Sequence, residues 1–156
     1  GLNILINKKV IKIKTNTKKL RYNIPLNISH TFKDKKIIST DRIAKYILIN
    51  FTNNLTLIIH LGMSGRLKVI KSNFIKEKHD HVILYFNNRY KLIFNDPRKF
   101  GFIDLSESLK IYEKRYLSSL GVDALSHKLN STYMYSKIKR SEVPIKQLLL
   151  NQYIVS

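Results

Sequence analysis

The 156-residue chain carries 29 Lys and Arg against 10 Asp and Glu, a net charge of +19, with 44% hydrophobic residues and no cysteine. That length and hydrophobic share suffice for one compact domain with a real core. The lack of cysteine excludes disulfides and cysteine-held zinc or iron–sulfur centres within these residues, and it fits a reducing compartment. No apolar run approaches the roughly twenty residues that a membrane-crossing helix needs, so no membrane association is expected. Residues 1–7 lack the pattern of a signal peptide. The positive charge points to a polyanionic partner, because each cation set on a phosphate releases a counterion. Lys, Ile and Asn all have A/T-rich codons, so a biased genome would also raise the lysine content without any functional meaning.

In chain order, residues 1–7 read as a helical tail and residues 10–14 as a strand with Lys12 and Lys14 on one face. Residues 15–34 are polar and irregular, with Pro25 as a breaker. Strands are expected at 35–40, 46–51, 55–61, 66–71, 81–86, 90–94 and 100–105. Asn53-Asn54 and Asn87-Asn88 mark hairpin turns, since Asn tolerates positive φ. From residue 106 the period changes: the spacing predicts an amphipathic helix over 109–120 closed by Gly121, a linker, then helical pieces at 133–139 and 145–152 separated by Pro144. Short strands joined by hairpins and followed by helices indicate an α+β chain, mainly an antiparallel β-sandwich. The expected domains are a sandwich over 1–121, a linker over 122–130 and the start of a helical domain over 131–156.

Two stretches interrupt the strand pattern. Residues 59–67 read Ile-His-Leu-Gly-Met-Ser-Gly-Arg-Leu, and residues 95–101 read Asn-Asp-Pro-Arg-Lys-Phe-Gly. Each presents one large apolar tip, Met63 or Phe100, beside basic residues. On a basic protein such tips suggest wedges pushed into a nucleic-acid stack.

Six motifs then occur in order: Ala44-Lys45-Tyr46, His60-Leu61-Gly62-Met63-Ser64-Gly65, Lys78-His79-Asp80-His81, Asp96-Pro97-Arg98-Lys99-Phe100-Gly101, Leu120-Gly121-Val122-Asp123-Ala124-Leu125 and Ile145-Lys146. Together they closely resemble the formamidopyrimidine-DNA glycosylase family, the bacterial base-excision enzymes for oxidised purines. The resemblance implies a bifunctional DNA glycosylase and AP lyase that flips the damaged base from duplex DNA, cuts its glycosidic bond and nicks the strand by β,δ-elimination. It implies a β-sandwich amino-terminal domain, a helical domain with a helix–two-turns–helix, and a zinc finger. The expected partner is double-stranded DNA containing oxidised purines, bound by a monomer in the bacterial cytoplasm with the nucleoid. The family's nucleophile is an amino-terminal proline, and its zinc lies in the carboxyl-terminal finger. Neither motif stands in these 156 residues. The chain is therefore expected to be an internal stretch with no cofactor of its own and, alone, little or no glycosylase activity. Rival readings are a non-enzymatic remnant that grips damaged DNA and a basic RNA-binding protein.

The resemblance assigns the roles residue by residue. Lys45, on residue type a solvated strand-start lysine, becomes the catalytic cation aimed at the lesion's phosphates, by the logic of pre-organised charge. His60, otherwise a core or edge histidine, becomes a phosphate contact. Met63 fills the void left by the flipped base, Phe100 wedges into the opposite strand, and Arg98 hydrogen-bonds the orphaned cytosine. On residue type alone, Met63 and Phe100 would be core side chains and Arg98 a solvated charge. His79 reads as a DNA contact and His81 as structural; with Asp80 between them they make only a weak metal motif, so no metal site is expected. Lys146 reads as a helix-surface lysine or a DNA contact. Gly62 and Gly65 permit close approach of a loop, while Pro97 and Gly101 shape the other.

Overall fold

In the computed structural model, which describes residues 1–156, eight strands form two four-stranded sheets. The strands are β1 (Val10–Thr15), β2 (Ile37–Ile43), β3 (Tyr46–Phe51), β4 (Leu55–His60), β5 (Arg66–Lys71), β6 (Asp80–Phe86), β7 (Tyr90–Asn95) and β8 (Phe102–Glu107). One sheet has the order β1-β6-β7-β5 and the other β2-β3-β4-β8. Two compact units divide the chain. The first is Gly1–Arg42 with Tyr46–Leu109, and the second is Ile43–Lys45 with Lys110–Ser156.

The first unit is a sandwich because each sheet turns one apolar face inward. Val10, Ile13, Leu84 and Phe94 come from one sheet, and Ile49, Phe51, Leu57 and Ile59 from the other; all belong to one buried cluster. Alternation gives β1 its exposed Lys12 and Lys14 on either side of buried Ile13, as the pattern predicted. The unbroken apolar runs of β3 and β4 reflect burial on both sheet faces. Asn53 and Asn54 both take positive φ (65° and 54°) and turn β3 into β4 with Phe51 opposite Leu55. The β6–β7 turn lies one residue further along than expected: Asn88 and Arg89 are the left-handed residues, each with φ 63°.

Four local expectations are revised. Residues 15–34 are not wholly irregular, for they hold helix α1 (Ile28–Phe32), which buries Ile28 and Phe32. Five residues are too few to display a helical period. The helix expected over 109–120 is instead a 3-10 stretch, Ser108–Glu113, followed by α2 (Arg115–Ser118), because Lys114 between them is extended (φ −68°, ψ 115°). Gly121 does not close that helix through a left-handed cap. A Cβ there would lie 2.2 Å from the Ile154 backbone, so glycine is required for close approach. The strand following Gly101 begins at Phe102 rather than at Phe100.

The second unit contains α2, α3 (Ser131–Ile138) and α4 (Ile145–Leu149). Asn130 caps α3, its side-chain oxygen accepting from the Tyr133 N–H at 2.9 Å. The tail lies along residues 121–124: Gly121 N–H donates to Gln152 O at 2.8 Å, and the Tyr133 hydroxyl donates to Ile154 O at 2.8 Å.

Phe51 is fully buried and packs on the Phe32 ring with centroids 4.7 Å apart. Phe51→Ala is expected to cost about 3–5 kcal/mol, the usual range for emptying a buried aromatic site. Urea unfolding should show this as a lower midpoint with an unchanged slope.

Candidate nucleic-acid interface

The loop 61–65 follows β4, and the loop 96–101 joins β7 to β8; they meet backbone to backbone. Gly62 has φ 65°, and a Cβ there would fall 2.6 Å from both Gly101 N and Phe100 C. A Cβ on Gly101 would stand 2.5 Å from His60 O and 2.8 Å from the Phe94 ring. Gly65 closes its own loop, donating its N–H to Leu61 O at 2.9 Å, and a Cβ there would overlap that same oxygen. Only glycine fits these contacts, whatever faces solvent beyond them.

A buried carboxyl group ties the joint. Asp96 has no exposed surface. Its Oδ1 accepts the Ser64 hydroxyl at 2.5 Å and the Arg98 N–H at 3.3 Å, and its Oδ2 accepts the Gly101 N–H at 2.8 Å. One side chain thus satisfies donors from both loops. Its main chain is held as well: Asp96 N–H donates to His79 O at 3.1 Å, and His81 Nε2 donates to Asp96 O at 2.9 Å. A carbonyl can only accept, so His81 carries its proton on Nε2. Burial pushes the His81 pKa below 6.5; the bond to Asp96 opposes this and the Lys99 charge reinforces it. A third segment braces the joint, with Arg21 N–H donating to Gly101 O at 3.0 Å and Lys99 Nζ to Thr17 Oγ1 at 3.3 Å.

His60 sits in a cross-strand row, opposite Tyr46 on β3 and Phe102 on β8. Its ring stacks on Phe102 (5.3 Å, 14°) and leans on Tyr46 (5.3 Å, 45°). Gly62 N–H donates to its Nδ1 at 3.1 Å. The neutral ring's proton is therefore on Nε2, and the imidazole is fixed in tautomer and orientation.

His60, Met63, Arg98 and Phe100 come together, with Arg21 and Lys99, around an open cavity of about 620 Å³. Met63 is 77% exposed and Phe100 46% exposed, so neither is a core side chain. The Arg98 guanidinium lies over the Phe100 ring, 4.5 Å from its centroid. Lys99 holds a left-handed backbone (φ 55°) in a loop that doubles back sharply. His79 does not line this cavity. It is half-buried just before β6, its ring 6.2 Å from that of His81. Lys45, in the turn after β2, and Lys146, on α4, are both exposed and belong to the second unit. No three His, Cys, Asp or Glu side chains converge to hold a metal ion.

Comparison with known proteins decides the family. Residues 1–103 match the formamidopyrimidine-DNA glycosylase N-terminal domain. The chain belongs to the formamidopyrimidine-DNA glycosylase family. A formamidopyrimidine-DNA glycosylase of Rickettsia bellii (strain OSU 85-389) is 39% identical over 151 residues, covering 97% of this chain and 55% of the relative. One from Psychromonas ingrahamii is 40% identical over 152 residues, with the same shares of 97% and 55%. The chain spans about half the length of the curated relatives it matches. In structure, Lactococcus lactis Fpg (MutM) bound to DNA containing N7-benzyl-Fapy-dG matches with a TM-score of 0.88 at 24% identity, over 99% of this chain and 57% of that one. The same enzyme bound non-covalently to AP-site DNA gives 0.89 at 24% identity, over 99% and 59%. At that identity the likeness speaks to the fold, two sheets with a few helices.

Sequence reasoning missed Asp96 as the joint of this family member's two loops, and Arg21 as a cation beside the cavity. Asp96 stands in a quoted motif, but its three donors are fixed only by the folded loops. Arg21 lies in a stretch with no period or motif.

Two outcomes follow. In Asp96→Asn one carboxyl oxygen becomes an NH2 facing an N–H or O–H donor, so urea unfolding should show a loss of about 2 kcal/mol, the order expected for one buried group left unsatisfied. For His81, the unfolded chain binds its proton at a higher pH than the folded one. Stability should therefore fall as pH drops through about 6.5 and level off below the lowered folded value. Comparing urea midpoints against pH with His81→Gln, which should lack that component, checks this.

Proposed function

We propose that the chain supplies the base-flipping half of a DNA glycosylase and AP lyase that removes oxidised purines, such as 8-oxoguanine and formamidopyrimidines, from duplex DNA in base excision repair. The observation that supports this is the grouping of Met63, Arg98 and Phe100 on one glycine-and-Asp96 joint, with their ends in solvent. Flipping a nucleotide leaves a void and an unpaired base, at a cost of a few kcal/mol. Met63 is the unbranched, flexible side chain that fills the void. Phe100 enters the stack of the opposite strand, and Arg98, steadied by its ring, donates to the orphaned cytosine. His60 contacts a phosphate beside the lesion. Lys45 acts as the catalytic cation near the lesion's phosphates, and His79 and Lys146 contact the DNA backbone.

The covalent chemistry needs an amine nucleophile that attacks the sugar, expels the base and forms the Schiff base from which the strand is nicked. The three prolines of this chain, Pro25, Pro97 and Pro144, are all internal, so none offers a free secondary amine. In this reading residues 1–156 supply the recognition elements, and none of their prolines serves as the nucleophile. No helix is long and apolar enough to cross a membrane. We place the protein with the chromosome in the bacterial cytoplasm.

Fluorescence anisotropy on a duplex with an abasic-site analogue opposite dC, against the intact duplex, tests the reading. The wild type should prefer the abasic duplex, and Arg98→Ala should cut that preference about tenfold, within the 1–3 kcal/mol of a good bidentate base contact. An equal affinity for both duplexes, or a preference untouched by the substitution, would overturn it. Residues 1–156 alone should give no borohydride-trapped adduct with abasic DNA; a covalent adduct would place the nucleophile within them.

A further inference from the structure

A second cluster of cations lies away from the loops, on the β1-β6-β7-β5 sheet. Lys12, Tyr85 and Lys91 form a cross-strand row on one face of β1, β6 and β7, while Lys71 on β5 pairs with Tyr90, the neighbour of Lys91 on β7, and so stands on the other face. The Lys12 ammonium lies 4.9 Å from the Tyr85 ring centroid, and those of Lys8 and Lys71 lie 5.1 and 5.5 Å from that of Tyr90. Lys91 Nζ donates to Ser72 O at 2.8 Å. Lys12, Arg89 and Lys91 line one open cavity of about 560 Å³ with the two tyrosines, and no Asp or Glu lines it. Between Tyr90 and Asn95, β7 covers roughly 17 Å at about 3.3 Å per residue, so this cluster and the Asp96 joint stand at opposite ends of that strand.

Arg89 is the second independent mark. It holds φ 63° at the hairpin tip, a position where Asn or Gly would be unstrained. The strained residue is a cation on the rim of a cation-lined cavity. Strain kept at such a place suggests use.

We infer that the cavity lined by Lys12, Arg89 and Lys91 at the β6–β7 hairpin is a second polyanion site, one that takes the phosphate backbone of duplex DNA without reading bases. The tyrosines select the backbone over unstacked bases. The Lys12 ammonium lies over the Tyr85 ring and Tyr90 packs against the core, so neither ring is offered for the base stacking by which single strands are held. The rings also hold the cations in place, which lowers the entropic cost of setting them on phosphates. The inference does not rest on the loop reading, because it concerns affinity for undamaged duplex and not lesion preference.

The test is the salt dependence of binding to an undamaged duplex, for the wild type and for the triple variant Lys12→Gln, Arg89→Gln, Lys91→Gln. The slope of log K against log salt should shrink by about 0.9 for each phosphate contact removed, roughly 2–3 in all, with the preference for abasic over intact duplex preserved. A single variant, Arg89→Asn, relieves the strained turn. It should melt at a higher temperature than the wild type yet bind undamaged duplex more weakly. An unchanged slope in the triple variant, with unaltered circular dichroism, would overturn the inference. So would a greater loss for single-stranded than for duplex DNA. Loss of binding to phosphatidylserine vesicles with DNA binding intact would assign the site to membranes and would overturn it equally.

Discussion

A carboxyl group with no exposed surface, accepting three hydrogen bonds from two loops, is the constraint on which the first unit's candidate site depends. Asp96 follows a core strand, so its backbone position is set by the sandwich. Its side chain then sets where Ser64, Arg98 and Gly101 lie. The core fixes the carboxyl, the carboxyl fixes the loops, and the loops present Met63, Arg98 and Phe100. A buried polar group of this kind is costly unless every partner is in place, so the arrangement tolerates little drift. The His60 row adds a second fixed element, since sheet pairing holds the imidazole between two rings and the adjoining Gly62 N–H occupies Nδ1.

Much of this was legible in the residues. Alternation placed Lys12 and Ile13 on opposite faces, the apolar runs of residues 46–51 and 55–60 gave the central hairpin, and Asn53-Asn54 marked its turn. The glycines at 62 and 65 announced close approach, whereas Gly101 was legible only as a residue that shapes its loop. The short helix α1 was not legible, because a five-residue helix has no period and its burial comes from the sheets it covers. Residues 109–120 carried a helical spacing that an extended Lys114 interrupts, which is a tertiary override of local pattern. The β6–β7 turn was displaced by one residue because Arg89, a poor left-handed residue by type, occupies a position where Asn was expected.

Among the candidate residues, the sequence could name tips and cations but not their support. Met63 and Phe100 are conspicuous as large apolar residues beside glycine and arginine. Asp96 is one of ten acidic residues and has no pattern that separates it from a surface carboxylate. Likewise the tyrosines under Lys8, Lys12 and Lys71 read as ordinary strand residues until the register of β1, β6, β7 and β5 brings them beneath the ammonium groups.

The contact between Gly62 and Gly101 has a mechanical consequence. A joint made of two backbones contains no rotatable side chain, so it has no rotamers to exchange and no slack to take up on warming. The spacing between the bases of the two loops is then governed by covalent geometry and by the hydrogen bonds of Asp96. The long side chains at the tips remain free to swivel. Stiffness and compliance are thereby separated within a few ångströms: a rigid root sets the span, and flexible tips adapt to whatever lies between them.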